Sequence, residues 1–518
     1  MKIVGPTLTA LLLVLGTTTF AQSGSLDSDF HGDGLVTTSF GTGPSMGASV
    51  VIQLDGKVIV AGYSYADLHR VFALARYNTD GSLDNSFGAS GKVTTGFGTG
   101  NAQGWSVAIQ PDGKIVVVGS ARVGTTADLA IARYNTSGTL DTSFGIDGKV
   151  TTDYAGGQDY GYSVAIQHDG RIVVAGSTSL SFAVDLALAR YNMDGTLDGS
   201  FGVGGKATTA FGTAPDQARS VVIQPDGMIV VAGFASISSG KDFVLARYDT
   251  NGNLDSGFGV EGKVIIDFAA WHDYGYSVLI DVAGKIVVAG YAENATDVDF
   301  ALARFNTNGI IDPSFGVNGK VITDFAADDD YGFSVAIQQD GKIVVAGNTR
   351  IGIHSDFAMA RYNTDGTLDN SFGGDGQVTT DFGTGYNHAY AVAIQPNGRI
   401  VVAGFSGFGD DADFAVARYL SGLDIGVIEF SLINNALLIY PNPIQDHATL
   451  KYTLQTAETI TIQLLDMQGK AVQTFVEGQH QAAGAHQQAI DLPEALPSGS
   501  YLIAISSPKG RFTVQVVK

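Results

Sequence analysis

The chain has 518 residues, 45% of them hydrophobic and only 15% charged, which suits a large packed core and argues against a disordered segment. Its formal net charge of −22 repels phosphate backbones and speaks against nucleic acid as a partner. Cys is absent, so disulfide staples, thiolate metal sites and a cysteine nucleophile are excluded.

Residues 1–21 read as a signal peptide. Lys2 supplies the positive start, Leu11 to Leu15 the apolar core, and Thr19-Phe20-Ala21 a small-residue cleavage site. That core is too short to span a bilayer, and no later stretch approaches the roughly 18 apolar residues a membrane helix needs. The expected location is secreted, either extracellular or on the outer cell surface.

From residue 22 to residue 420 the chain repeats itself. An Ala-Arg-Tyr-like element places an arginine at Arg76, Arg133, Arg190, Arg247, Arg304, Arg361 and Arg418, each 57 residues after the last. A fixed period of this size signals a repeat architecture. Within one unit, Ser106–Gln110 reads as a short strand and Pro111-Asp112-Gly113 as a turn. Lys114–Gly119 is an apolar run suited to a strand buried on both faces. Asp128–Tyr134 makes a third strand and Gly148–Asp153 a fourth, after a turn at Asn135–Gly138.

Four short strands repeated seven times predict an all-β, seven-bladed β-propeller. The first copy of the fourth strand, Leu35–Phe40, precedes the first complete unit, and no copy follows Phe414–Tyr419. These two segments are expected to pair and close the ring, which removes two exposed sheet edges. The recurring ALARYN, DGSLD, SFG, GKVTT and SVAIQPDGKIVVAG elements resemble the delta-60 repeat of bacterial β-propellers, over about residues 25–420. The resemblance implies the fold and an extracellular setting, and supplies no catalytic residues.

Residues 421–438 read as a linker. Residues 439–518 have their own strand rhythm and are expected to form a small, immunoglobulin-like β-sandwich. The segment resembles the C-terminal sorting domain of the type IX secretion system of Bacteroidetes. Tyr440-Pro441-Asn442-Pro443, Leu465-Asp466, Gly469-Lys470, Pro497-Ser498-Gly499 before Tyr501, and Val516-Val517-Lys518 carry the likeness. It implies the type IX secretion machinery as a partner, with this domain directing export and usually being removed.

Comparing the seven copies locates the candidate site. Two connections of each unit are nearly constant, while two vary, Thr95–Trp105 and Ser120–Ala127 in the unit above. Alternate connections of a meander share one end, so the variable loops share one face, where functional residues favour a rigid scaffold. Just ahead of the inner strand stand Ala48, Trp105, Tyr162, Arg219, Tyr276, Phe333 and Tyr390. Together with nearby residues they give a candidate ligand-binding set of Trp105, Tyr160, Tyr162, Trp271, His272, Asp273, Tyr274, Tyr276, Tyr331, Phe333 and Tyr390. Aromatic faces beside carboxylates suit a sugar ring. The competing account is that these rings cap the core between blades.

No cofactor is required by any motif. The Asn-x-Asp-Gly-x-Leu-Asp loop, as at Asn78, Asp80 and Asp84, is a candidate calcium loop, although Ser137, Asn251 and Asn308 replace its middle carboxylate. Asp328–Asp330 is a second acidic candidate. The repeated Arg has an Asp eight residues on, from Asp84 to Asp369, expected as a structural ion pair. No nucleophile elbow, HExxH or phosphate loop is present, so no catalytic residue is assigned. The leading expectation is a binding or scaffold module for a polysaccharide or a surface protein. The alternatives are an extracellular glycan hydrolase or lyase and a passive surface protein.

Overall fold

The computed structural model describes residues 22–422 and 438–518. Residues 67–68, 155, 181–182, 238–239, 269–270, 326–327 and 384 are excepted in the first stretch, and 441–443, 445–446, 455–456, 467–469, 494–495, 498 and 508–509 in the second. The expected signal peptide and most of the expected linker lie outside the described residues.

Among the described residues, the repeats form seven four-stranded antiparallel sheets. In the second one the strands are Ala102–Ile109, Ile115–Val123, Thr126–Tyr134 and Lys149–Thr152, and the other copies follow at the same spacing. The first strand of each sheet packs against the first strands of both neighbours, so these strands form an inner ring around a central axis. The second and third strands have apolar middles because neighbouring blades cover both faces; Ile115, Val116, Val117 and Val118 are all fully buried. The turn at Gly113 needs φ of 82°, which glycine reaches without strain, and Asp112 Oδ1 accepts the Lys114 N–H at 3.1 Å.

The repeated polar residues tie each blade to the next. Each arginine meets the aspartate eight residues on at 2.6–2.8 Å, from Arg76–Asp84 to Arg361–Asp369. A second cation joins most of these carboxylates, for example Lys57 on Asp84 at 2.8 Å, but Met228 stands at that position beside Asp255. Each guanidinium also lies over a buried phenylalanine, three residues after the aspartate it meets, 4.4–4.7 Å from the ring centre. Its remaining N–H reaches a carbonyl of the following blade, as Arg76 Nη1 does to Thr136 O at 2.6 Å. The arginines are therefore clamps between blades.

Two further bonds cross the seams. The Tyr134 hydroxyl donates to Thr95 Oγ1 of the preceding blade at 2.8 Å, and five other copies repeat this bond. In the remaining copy Phe305 faces Ile266, so both polar partners are replaced together. Along the inner ring, Ser106 Oγ accepts the Val164 N–H at 3.3 Å, one of six such bonds. Ala391 offers no hydroxyl to Val50 at the seventh seam.

The ring closes as the sequence predicts. Leu35–Thr38 pairs antiparallel with the last third strand, Leu35 opposite Ala417 and Thr38 opposite Phe414. The seventh aspartate comes from the N-terminal segment: Asp27, only 2% exposed, meets Arg418 at 2.8 Å and Arg399 at 2.9 Å. Arg418 donates to Thr79 O of the first blade at 2.5 Å.

The C-terminal strands form two sheets. Leu438–Tyr440, His447–Leu454 and Gly484–Asp491 make one, and Ala471–Gln481, Glu458–Leu465, Ser500–Ser507 and Gly510–Val517 the other. Their alternating side chains meet in one core of Leu450, Tyr452, Ile460, Ile462, Leu464, Ile490, Ile503 and Ile505. No helix of the described residues is long and apolar enough to cross a membrane.

Candidate functional site

The inner strands begin earlier than the sequence predicts. Ala102–Ile109 is one strand, with Trp105 inside it. Pairing with the second strand skips from Gly104 to Ser106, so Trp105 is the extra residue of a β-bulge. The same skip occurs in the other six inner strands, at Ala48, Tyr162, Arg219, Tyr276, Phe333 and Tyr390. A bulge breaks the two-residue alternation, which is why the segment reads as a loop. It also accounts for the glycine in each IVVAG strand: a Cβ on Gly119 would lie 1.8 Å from the Gln103 carbonyl oxygen.

The bulges turn their side chains into the centre of the ring. There they line a cavity of about 680 Å³ with Trp105, Tyr162, Arg219, Tyr276, Phe333 and Tyr390. Below six of the seven bulges lies the serine that holds the next inner strand, and below Tyr390 lies Ala391. Tyr291 enters from the second strand of the fifth blade, and Tyr331, Asn348 and His388 complete the wall. These positions belong to the ends of the inner and second strands that carry the variable loops. Adjacent loops touch on that side, as where the Lys241 N–H approaches His272 Nδ1 at 3.2 Å.

The wall is not seven-fold. Tyr276 stacks on Tyr291 at 5.4 Å and meets Phe333 edge-on at 5.0 Å, while Phe333 lies 5.2 Å from Tyr390. Arg219 lies over Tyr162 at 4.3 Å and Tyr276 at 5.2 Å, and donates to Gln217 Oε1 at 2.7 Å. The first blade offers no ring, only Met46, Ala48 and Ser49. Burial raises the Tyr291 and Tyr390 hydroxyls and lowers His388, so these groups are neutral hydrogen-bonding partners at neutral pH. Trp105 Nε1 is buried without an acceptor. No carboxylate is present among the described lining residues.

Six of the eleven candidate residues meet in this cavity: Trp105, Tyr162, Tyr276, Tyr331, Phe333 and Tyr390. Tyr160 stacks on Tyr162 at 5.9 Å, and Tyr274 packs 4.8 Å from both Phe234 and Tyr291. Trp271 is 52% exposed on its loop, beside His272. Asp273 stands apart, fully buried where two blades meet. Burial above all, with the Asp267 and Asp242 charges, pushes its carboxyl up to about 7 against the Phe268 N–H that it accepts.

The intermediate exposure of the bulge residues distinguishes them from the fully buried interblade rings such as Phe87 and Phe144. Sequence reasoning missed Tyr291 and Asn348. Their signal was variation after the constant glycine of the second strand, where the copies read Tyr63, Ser120, Ser177, Phe234, Tyr291, Asn348 and Phe405.

The candidate calcium loop is occupied by the protein's own donors. Asp80 Oδ1 accepts from the Ser82 N–H and hydroxyl at 3.0 and 2.6 Å, while Asp84 is held by Arg76, Lys57 and Ser86. These are turn and clamp contacts.

The ring of bulged sheets and its aromatic cavity define a seven-bladed β-propeller with an appended β-sandwich. The chain carries seven repeats of the family described as a domain of unknown function (DUF5122) beta-propeller, at residues 53–87, 110–144, 167–201, 224–258, 284–315, 338–372 and 395–423. Residues 438–518 are a secretion system C-terminal sorting domain of the Por type. The protein is thus a type IX secretion cargo, extracellular or on the cell surface. No curated protein matches the chain.

Among solved structures, PorZ, an essential surface component of the type IX secretion system of Porphyromonas gingivalis, is similar at 12% identity and TM-score 0.37. The match covers 93% of this chain and 60% of PorZ, so the chain spans less than two thirds of that protein's length. The polysaccharide lyase Uly1 is similar at 13% identity and TM-score 0.43, covering 72% of this chain and 90% of Uly1. Sqt1 from Chaetomium thermophilum is similar at 14% identity and TM-score 0.35, covering 74% of this chain and 97% of Sqt1.

Proposed function

We propose that the exported propeller is a binding module that holds a polysaccharide segment in its central cavity. The carrying observation is the set of bulges that turn Trp105, Tyr162, Tyr276, Phe333 and Tyr390 into one space of about 680 Å³. A bulge placed only for packing has no need of a ring that stays partly exposed. Aromatic faces stack on the C–H faces of sugar rings, and neutral tyrosine hydroxyls, Asn348 and His388 supply hydrogen bonds around them. Ala48 leaves room for a ligand on the side of the first blade. Binding is favoured over glycoside hydrolysis because the described wall carries no carboxylate for an acid–base pair.

A glycan array probed with the purified protein tests this. Clear binding is expected, weakened about tenfold or more by Tyr276→Ala or Phe333→Ala, since a lost ring contact is worth about 1.5 kcal/mol. Binding that ignores both substitutions moves the ligand away from the cavity. A folded sample that binds no glycan replaces this reading with a protein ligand or a passive surface role.

A further inference from the structure

Among the described residues, three acidic clusters lie away from the cavity, each at a seam between blades. They are Asp128, Asp153 and Asp159; Asp242, Asp267 and Asp273; and Asp299, Asp324 and Asp330. In every cluster one aspartate stands on a third strand, one follows the outer strand, and one opens the inner strand of the next blade. Each contributes a carboxylate oxygen, and these oxygens lie within 4.8 Å of one another.

Such crowding needs a compensating charge, and in two of the clusters buried oxygens are left without a partner, whereas Asp159 of the remaining cluster accepts from the Thr178 hydroxyl at 2.5 Å and the Tyr154 N–H at 2.8 Å. Asp273 is fully buried; its Oδ2 accepts the Phe268 N–H at 2.6 Å, but its Oδ1 has no hydrogen-bond partner. Asp299 is 6% exposed; its Oδ2 accepts from Asn294 at 2.8 Å, and its Oδ1 likewise has none. A buried carboxylate oxygen left unpaired is strongly unfavourable.

Other seams of the same ring show different solutions. Asn387 replaces the third acid one seam further on, and its amide donates to Asp356 Oδ1 at 3.2 Å and Asp381 Oδ1 at 3.0 Å. Ser39 and Ser45 accompany Asp413 at the closing seam. Val71, Gly96 and Ala102 make the first seam uncharged, and the seam around Ala210 holds only Asp185 and Asp216, where Asp216 Oδ1 is also left without a partner.

We infer that the three full clusters bind calcium, one ion to a seam, joining blade to blade. Three carboxylates present only hard oxygen donors, the choice of calcium over zinc or copper. Calcium accepts a mixture of one- and two-oxygen carboxylates, and water at the exposed Asp153 and Asp324 completes six to eight ligands. Lysines face the first two clusters, Lys206 on the Asp153 carbonyl at 2.5 Å and Lys320 on the Asp267 carbonyl at 2.6 Å. At the third, the neutral Gln377 takes that place at 2.8 Å and Asp297 adds a further acid beside Asn294. The Asp299–Asp324–Asp330 seam is therefore the tightest of the three.

The test uses the full chain, stripped with a chelator and titrated with calcium alone. Calorimetry should count three ions per chain, and Tm should rise by about 3 °C or more at about 1 mM calcium, the range of extracellular calcium modules. Asp330→Asn copies the arrangement at Asn387. It should fold without calcium at least as stably as the parent and bind one ion fewer. Asp324→Asn, altered at an exposed side chain, should lose the same ion. An unmoved Tm overturns the inference. So does an unchanged ion count in both variants, which would mean diffuse binding to an acidic surface.

Discussion

Replacing Asp27 by Ala should open the ring at its closing seam. Asp27 is separated from Arg418 by 391 residues, yet its carboxylate lies 2.8 Å from that guanidinium and 2.9 Å from Arg399. The side chains of Asp27 and Arg418 are 3% and 6% exposed, so water cannot replace the lost partner. Removing one member of a buried pair is worth about 3–5 kcal/mol, most of it from the orphaned charge. Asp255 is the built-in comparison. Its carboxylate is 21% exposed and meets one cation only, so Asp255→Ala should lose about 1–2 kcal/mol. Urea unfolding followed by tryptophan fluorescence reads the propeller alone, because Trp105 and Trp271 are the chain's two tryptophans. Equal midpoints for the two variants, or a larger loss for Asp255→Ala, would refute the argument that the N-terminal segment locks the ring.

Two other perturbations follow from the seams. Phe305→Tyr places a buried hydroxyl against Ile266 and should destabilise by about 1–3 kcal/mol; adding Ile266→Thr should restore most of the loss by recreating the bond made at Tyr248 and Thr209. A double-mutant cycle without positive coupling would contradict that pairing. Acid should loosen the clamps. Burial works against the Asp141 charge, but Ser143, Lys114 and Arg133 outweigh it and hold the carboxyl down to about 2. Because the folded value is depressed, the stabilisation is full above the unfolded value of about 4 and disappears as pH falls through about 2. Thermal melts between those limits should show a falling Tm that Asp141→Asn flattens.

The fold was legible because its determinants are local and repeated. A constant spacing of 57 residues, turn residues at fixed offsets and an Arg–Asp pair eight residues apart survive in one dimension. Closure was legible from the odd copy of the outer strand at Leu35. The seventh partner, Asp27, was hidden by the cut in the repeat, since it precedes its arginine by almost the whole ring. The bulge was hidden for another reason: one extra residue shifts the alternation, so Gly104-Trp105 looks like the end of a loop. The acidic seams escaped because their members lie on separate strands, 25 and 31 residues apart, where no short motif can join them.

A repeat protein carries its own internal comparison, and two kinds of departure from the repeat mean different things. Phe305 departs together with Ile266, and Asn387 replaces an acid exactly where its amide reaches two others. Such paired departures keep a seam satisfied and identify contacts. The cavity departs without compensation. Ala48 leaves a gap in the ring of aromatic rings, Arg219 inserts a charge between Tyr162 and Tyr276, and Tyr291 arrives from a strand whose other copies carry serine or asparagine as readily as an aromatic. Seven equal blades have no structural need for an unequal centre. The proposed ligand, which lacks seven-fold symmetry, does, and the concentration of rings in the fifth to seventh blades marks the side on which it would lie.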